Sequence, residues 1–176
     1  FDDVVDGVCQ KLVFRHPHVF GSVDARDSER ALAAWDAQKR REKGQRTTGD
    51  ALDSVARALP ALTRAGKLQD KARKAGFDWR EISPALDKLS EELDELRRAV
   101  AEDSNVEEEL GDLLFAAVKV GRFAGVDGEQ ALQGSCEKFI RRFRWVEALS
   151  PRPLDQMEVS QLEELWSRAK AQEDCR

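Results

Sequence analysis

The sequence predicts an all-α fold, and three observations carry that expectation. Apolar residues recur at three- and four-residue intervals through almost every stretch. Glycine and proline are sparse, 11 and 5 in 176 residues, and fall mostly between the periodic stretches. No run shows the period-two alternation of a half-buried strand. Charged residues at 36% and aromatics at 7%, with no tyrosine, fit a soluble helical protein.

The elements follow in order. Phe1, Val4, Val5, Val8, Leu12 and Val13 share helical spacing. RHPHVFG then breaks the pattern, because Pro17 disfavours helix at His16 and Gly21 permits a turn. The two histidines flanking Pro17 lack a third candidate ligand nearby, so a structured turn is expected there rather than a metal site. Ser28 to Lys43 reads as a helix, with Ser28 as N-cap, Leu32 and Trp35 as anchors and Gly44 as stop. Its basic end, Lys39, Arg40, Arg41 and Lys43, reads as a solvated helix terminus. From Gln45 to Arg57 the pattern lapses, and a mobile linker is expected. Pro60 opens a third helix that Gly76 ends. Trp79, in the connector Phe77–Asp78–Trp79, is expected to plug the core.

A fourth helix starts near Ser83 and Pro84 and runs to about Ala101, striped by Leu86, Leu89, Leu93, Leu96 and Val100. A fifth runs from near Ser104 to about Phe123, striped by Val106, Leu110, Leu113, Leu114, Ala117 and Val120. Gly125, Asp127 and Gly128 break the chain again. A sixth runs from about Glu129 to Leu149, stopped by Pro151 and Pro153, and a last from Ser160 to about Gln172.

Composition excludes several functions. A net charge of −5 and a pI near 5.3 argue against a dedicated nucleic-acid binder. Cys9, Cys136 and Cys175 are odd in number and lack metal-type spacing, so free thiols in a reducing cytoplasm are expected. No apolar run approaches bilayer-spanning length. The chain begins at Phe1 and reads as a fragment.

The fourth and fifth helices carry the chemistry. EELDE supplies Glu92 and Glu95, and EEELGD supplies Glu109 and Asp112, each pair at i, i+3 on one helix face. At about 100° per residue, Glu92 and Glu95 lie roughly 70° and 130° from the centre of their apolar stripe. Glu109 and Asp112 lie roughly 80° and 140° from theirs, in the same rotational sense. In an antiparallel pair these offsets bring all four carboxylates to one side of the seam, Glu92 and Glu109 at its edge. Few cations lie inside the clusters, and four carboxylates held together repel unless a cation sits between them. Oxygen-only ligands suit Mg²⁺, or Mn²⁺ in its place. Gly111 makes room either for a close helix or for a ligand. Lys138 with Arg142, and Trp166 with Lys170, are i, i+4 pairs that could face a phosphate-bearing substrate. Read alone, each is more simply a solvated face.

The two clusters resemble the EExxE…ExxD signature of the MazG nucleoside triphosphate pyrophosphohydrolases. RHPHVFG, LPAL at Leu59–Leu62, GFDW at Gly76–Trp79, GDLLFA at Gly111–Ala116, EKFIRRFRWVE at Glu137–Glu147 and the terminal LEELWSRAKAQE are similar too, in family order. The resemblance implies an all-α bundle completed by homodimerisation. It also implies hydrolysis of nucleoside triphosphates to monophosphate and pyrophosphate, with broad base preference suited to clearing non-standard nucleotides. By motif, Glu92, Glu95, Glu109 and Asp112 take the metal-ligand positions. Lys138 and Arg142 match triphosphate contacts, and Trp166 and Lys170 match positions near the nucleotide. Longer members carry two related domains. Residues 1–21 therefore read as a remnant of the first, 22–59 as helix and linker, and 60–176 as the catalytic second domain. Two other classes remain: a silent dimerisation or regulatory module that binds metal or nucleotide without turnover, and a helical adaptor that binds no metal.

Overall fold

The computed structural model describes residues 1–20, 35–39, 41–42 and 44–174. Every regular element among them is helical. The chain divides into two compact units. One comprises Phe1–Leu59 and Lys67–Asp78, the other Pro60–Gly66 and Trp79–Arg176.

In the first unit, α1 (Asp2–Arg15) ends at His16, whose backbone has left helical geometry. Pro17 then opens α2 (Pro17–Phe20), so RHPHVFG holds a further turn of helix where a plain turn was expected. His16 Nδ1 lies 2.8 Å from the Leu12 carbonyl oxygen, tying the histidine back to α1. Residues 35–39 and 41–42 are helical, in keeping with the second predicted helix. Gly21, Ser28, Leu32, Arg40 and Lys43, on which parts of that reading rested, lie outside the described residues, as does Cys175.

The expected linker at Gln45–Arg57 is corrected. It contains α3 (Thr48–Asp53), fixed by a capping box. Asp50 N donates to Thr47 Oγ1 at 3.0 Å, while Asp50 Oδ2 accepts from Thr47 N at 2.7 Å and Arg46 N at 2.8 Å. These backbone donations hold the Asp50 carboxyl below its usual value. The same helix buries Ala51, and Val55 is buried just beyond it.

Helix α4 (Ala61–Lys74) gives its first turns to the second unit and the rest to the first. It ends where Gly76 adopts φ +87°, letting Phe77 N reach the Ala72 carbonyl at 3.0 Å.

In the second unit, α5 (Ser83–Glu102) and α6 (Val106–Phe123) form the principal helix pair. Only Asp103, Ser104 and Asn105 separate them, and the left-handed backbone of Asp103 and Asn105 makes the sharp reversal of an antiparallel hairpin. Helix α7 (Gly128–Leu149) starts at Asp127, whose side chain accepts from Gln130 N at 3.0 Å. Glu129, in its first turn, reaches Thr63 N at 3.3 Å and so ties α7 to the start of α4. After a short 3₁₀ turn at Leu154–Gln156, α8 (Val159–Asp174) packs on α7. Val146, Leu165 and Ala169 form a small core there, backed by Leu149, Leu154, Met157 and Trp166.

Trp79 is not a core plug. It is 43% exposed, with Lys119 Nζ 5.0 Å above its ring. No helix among the described residues is long and apolar enough to cross a membrane. Cys9 and Cys136 are free thiols.

The capping box gives a direct test of the corrected segment. Thr47→Ala is expected to cost about 1 kcal/mol of stability by urea denaturation. Loss of the box should also speed amide exchange in α3. Unchanged exchange there would show that α3 does not depend on it.

Candidate metal centre and flanking groove

The fully buried positions of α5 are Ala85, Glu92 and Ala99, spaced seven apart along one line of the helix. Small residues above and below Glu92 let α6 approach closely and seal the acid between them. Glu92 is only 6% exposed, while its neighbour Leu93 is 38% exposed. This corrects the geometry expected from sequence. The hairpin seam runs through the alanines and Glu92 itself, about 70° from the centre of the apolar stripe, so Glu92 lies in the seam and not at its edge.

Across the seam, the carboxylates of Glu92, Glu109 and Asp112 offer ligand atoms all within 4.8 Å of one another. They form the single such group among the described residues. Its depth is graded, with Glu92 buried, Glu109 half-buried and Asp112 exposed. An octahedral Mg²⁺ with ligands near 2.1 Å sets neighbouring oxygens roughly 3 Å apart. Small side-chain rotations bring the three acids to that spacing. The donor set is all oxygen, as a hard divalent cation requires.

Glu95, the fourth expected ligand, stands outside this group and leans on Arg98 at 3.5 Å. It is still felt there. Partial desolvation, followed by the charges of Glu95, Asp112, Glu108 and Glu92, pushes the Glu109 carboxyl above its usual value.

Lys88 was missed from sequence. Its Nζ lies 2.8 Å from both Glu91 and Glu92, and these hydrogen bonds hold its ammonium well above the usual lysine value. The signal was legible, because Lys88 stands four residues before Glu92 on one helix face. The expectation that few cations serve the clusters holds inside them but not one turn away. Among the described residues no heavy atom lies within 4 Å of a Cβ built on Gly111, so none of their helices approaches it closely.

Trp166 and Lys170 line a second feature, a groove of about 730 Å³ between α7 and α8. Its walls include Phe139, Phe143, Leu162 and Val159. The Phe139 and Trp166 rings are tilted against each other with centroids 5.4 Å apart. Lys138 is exposed and Arg142 half-buried on α7, beside Phe139 and Phe143, but neither lines the groove. The expected site residues therefore fall in two places on one unit, and the acid cluster and the groove share no residue.

An antiparallel helix pair whose carboxylates converge at its seam defines a class of all-α protein equipped to hold a hard cation. The family model described as the MazG nucleotide pyrophosphohydrolase domain matches residues 81–147, the span of α5, α6 and most of α7. A nucleoside triphosphate pyrophosphohydrolase of Escherichia coli (strain K12) is 43% identical over 98% of this chain and 68% of its own length. A nucleoside triphosphate pyrophosphohydrolase/pyrophosphatase MazG of Thermotoga maritima is 36% identical over 96% of this chain and 65% of its own. The uncharacterized protein YabN of Bacillus subtilis is 42% identical over 98% of this chain and 36% of its own. The chain belongs to the MazG family of nucleotide pyrophosphohydrolases.

The raised Glu109 carboxyl gives a pH-dependent prediction. A carboxyl whose folded value is raised binds its proton more tightly when folded, so its contribution to stability is lost as pH rises through that value. A divalent cation can replace the proton. Thermal stabilisation by Mg²⁺ is therefore expected to be larger at pH 8 than at pH 5, and to be abolished in Glu109→Gln. No shift with Mg²⁺ at pH 8 would remove the cluster as a metal site.

Proposed function

We propose that this chain hydrolyses nucleoside triphosphates to nucleoside monophosphate and pyrophosphate with Mg²⁺ as cofactor, Mn²⁺ being a workable substitute. The carrying observation is the convergence of Glu92, Glu109 and Asp112 at a sealed seam in a member of this family. The Escherichia coli and Thermotoga maritima relatives, both nucleoside triphosphate pyrophosphohydrolases, support the substrate class.

In this reading Glu92, Glu109 and Asp112 hold the cation, and Glu95 joins them by rotating away from Arg98. Bound there, a divalent ion neutralises phosphate oxygens and makes the α-phosphorus more electrophilic. A carboxylate of the cluster orients a water and takes its proton as the water oxygen forms the new bond to the α-phosphorus. The bond from that phosphorus to the bridging oxygen breaks, and pyrophosphate leaves with the electron pair. Lys138 and Arg142 stabilise the charge that develops on it. Trp166 supplies a flat apolar surface for the base, and Lys170 a cation at the same groove. The catalytic region is residues 60–176, acting in the cytoplasm without membrane or stable nucleic-acid partners. Broad base tolerance would suit removal of non-standard nucleotides.

The active form is a homodimer. Leu86, Leu93 and Val100 on α5, Leu110 and Leu114 on α6, and Ile140 on α7 are 38–61% exposed. Large apolar side chains exposed in this number call for a partner, and a second copy offers the complementary helical face. It would also bring further side chains toward the two separated features.

Product analysis tests the reaction. Incubation with several nucleoside triphosphates and Mg²⁺ should yield monophosphate and pyrophosphate; orthophosphate with diphosphate would sink the reading. Glu109→Gln should lose turnover by a factor of 10² or more, on the order of what lost electrostatic stabilisation costs, while keeping its helical circular dichroism. Metal binding with no product would instead identify a silent module. For assembly, sedimentation should give a dimer that Leu114→Asp converts to monomer, whereas a wild-type monomer at micromolar concentration would exclude the dimer.

A further inference from the structure

The first unit contains a cavity of about 300 Å³ that the reaction above does not use. That volume sits at the lower end of small-molecule sites. Its floor is apolar, made by Ala51, Val55 and Leu59 around the end of α3. Ala51 and Val55 are 4% and 5% exposed, so this wall is packed and fixed. The facing wall is basic. Lys67, Lys71 and Lys74 stand at i, i+4 and i+7 on one face of α4, and Lys39 joins them from the helical stretch 35–39.

Charge decides what such a cavity takes. The chain as a whole is acidic at −5, yet this lining holds four lysines against two aspartates, Asp36 and Asp70. One lysine, Lys74, is offset by Asp36, which leaves three lysines in the lining, and Asp70 pairs outside it. Asp36 lies 2.7 Å from Lys74, and Asp70 3.6 Å from Arg73. Lys39 Nζ is held 4.5 Å over the Trp35 ring, which also lines the cavity. Lysines gathered at a concave surface with one dry wall suit a small phosphate-bearing anion, because ammonium groups bind phosphate as point charges and the low-dielectric wall strengthens the attraction.

We infer that the first unit carries a second ligand site, between α3 and α4, for a small phosphate-bearing anion. Two sources share that chemistry, a nucleoside monophosphate and inorganic pyrophosphate. The apolar floor favours the nucleotide, whose sugar and base would cover it. The site is assembled entirely within the first unit and does not depend on the proposed hydrolysis.

The test titrates the full chain with adenosine monophosphate and, separately, with inorganic pyrophosphate, by calorimetry in EDTA. Without metal, the carboxylate cluster repels both. One or both anions should bind, more weakly as salt rises. Lys67→Gln combined with Lys71→Gln should weaken that binding roughly tenfold or more, whereas Lys71→Arg alone should largely retain it. Binding should also change tryptophan emission, and Trp35→Phe should remove the change. Failure of both anions to bind at millimolar concentration overturns the site. So does binding that the double substitution leaves unaltered. Nucleoside triphosphate turnover, read in parallel, reports separately on the carboxylate cluster.

Discussion

Burial of the Glu92 carboxylate is the constraint on which the second unit turns. An ionised carboxylate taken out of water carries a large desolvation cost and persists only when paired. Ala85 and Ala99 create the problem by letting α6 close over the acid. The left-handed residues Asp103 and Asn105 fix the reversal, and hence the register that sets Glu92 against Glu109 and Asp112. A register matching Glu92 with Glu109 also sets Ala85 level with Ala116, seven residues away on each helix. The close approach and the clustering of acids are therefore one design. A looser hairpin would hydrate the carboxylates and spread them apart, relieving the desolvation and the repulsion that now lift Glu109.

The same seam explains why so much apolar surface remains outside. A hairpin that spends its buried line on alanine and glutamate cannot bury its leucines there too. Leu86, Leu93, Leu110 and Leu114 turn to the faces that α5 and α6 leave uncovered. Val118 is an exception: it is buried where α6 passes Gly128 at the start of α7 and Gly66 of α4. In the proposed dimer the leucine faces become interface.

Much of this was legible in the sequence. Helical spacing located α1 and α4 to α8 to within a few residues, because their breaks carry strong turn chemistry: Gly76 with positive φ, Pro84 in the first turn of α5, and Asp127 as N-cap. Of the four acids that i, i+3 spacing singles out, Glu92, Glu109 and Asp112 come together, while Glu95 stands apart with Arg98. What failed was what depends on tertiary partners. The apolar stripe suggests the seam, yet the positions that α5 buries are Ala85, Glu92 and Ala99, not its leucines. Trp79 was placed inside, although a neighbouring Lys119 gives its ring a favourable position at the surface. The lapse at Gln45–Arg57 hid α3, whose six residues are too few to show a period. Its signal was Thr47 and Asp50 at capping-box spacing.

Lys88 and Glu95 show how the cluster is poised. In this structure Lys88 answers the buried charge of Glu92, and Arg98 answers Glu95, each from its own helix. Both partners are long, partly exposed cations whose hold on a carboxylate is weak compared with that of a divalent ion in the same place. A metal bound by Glu92 therefore competes with Lys88 for one carboxylate. Since the ammonium keeps its charge, its displacement leaves a cation one turn from the metal. The phosphate chain of a nucleotide carries negative charge along its length and needs cations at more than one point. A divalent ion held by Glu92 would thus have the Lys88 ammonium, one turn away, as a second positive charge for the phosphates.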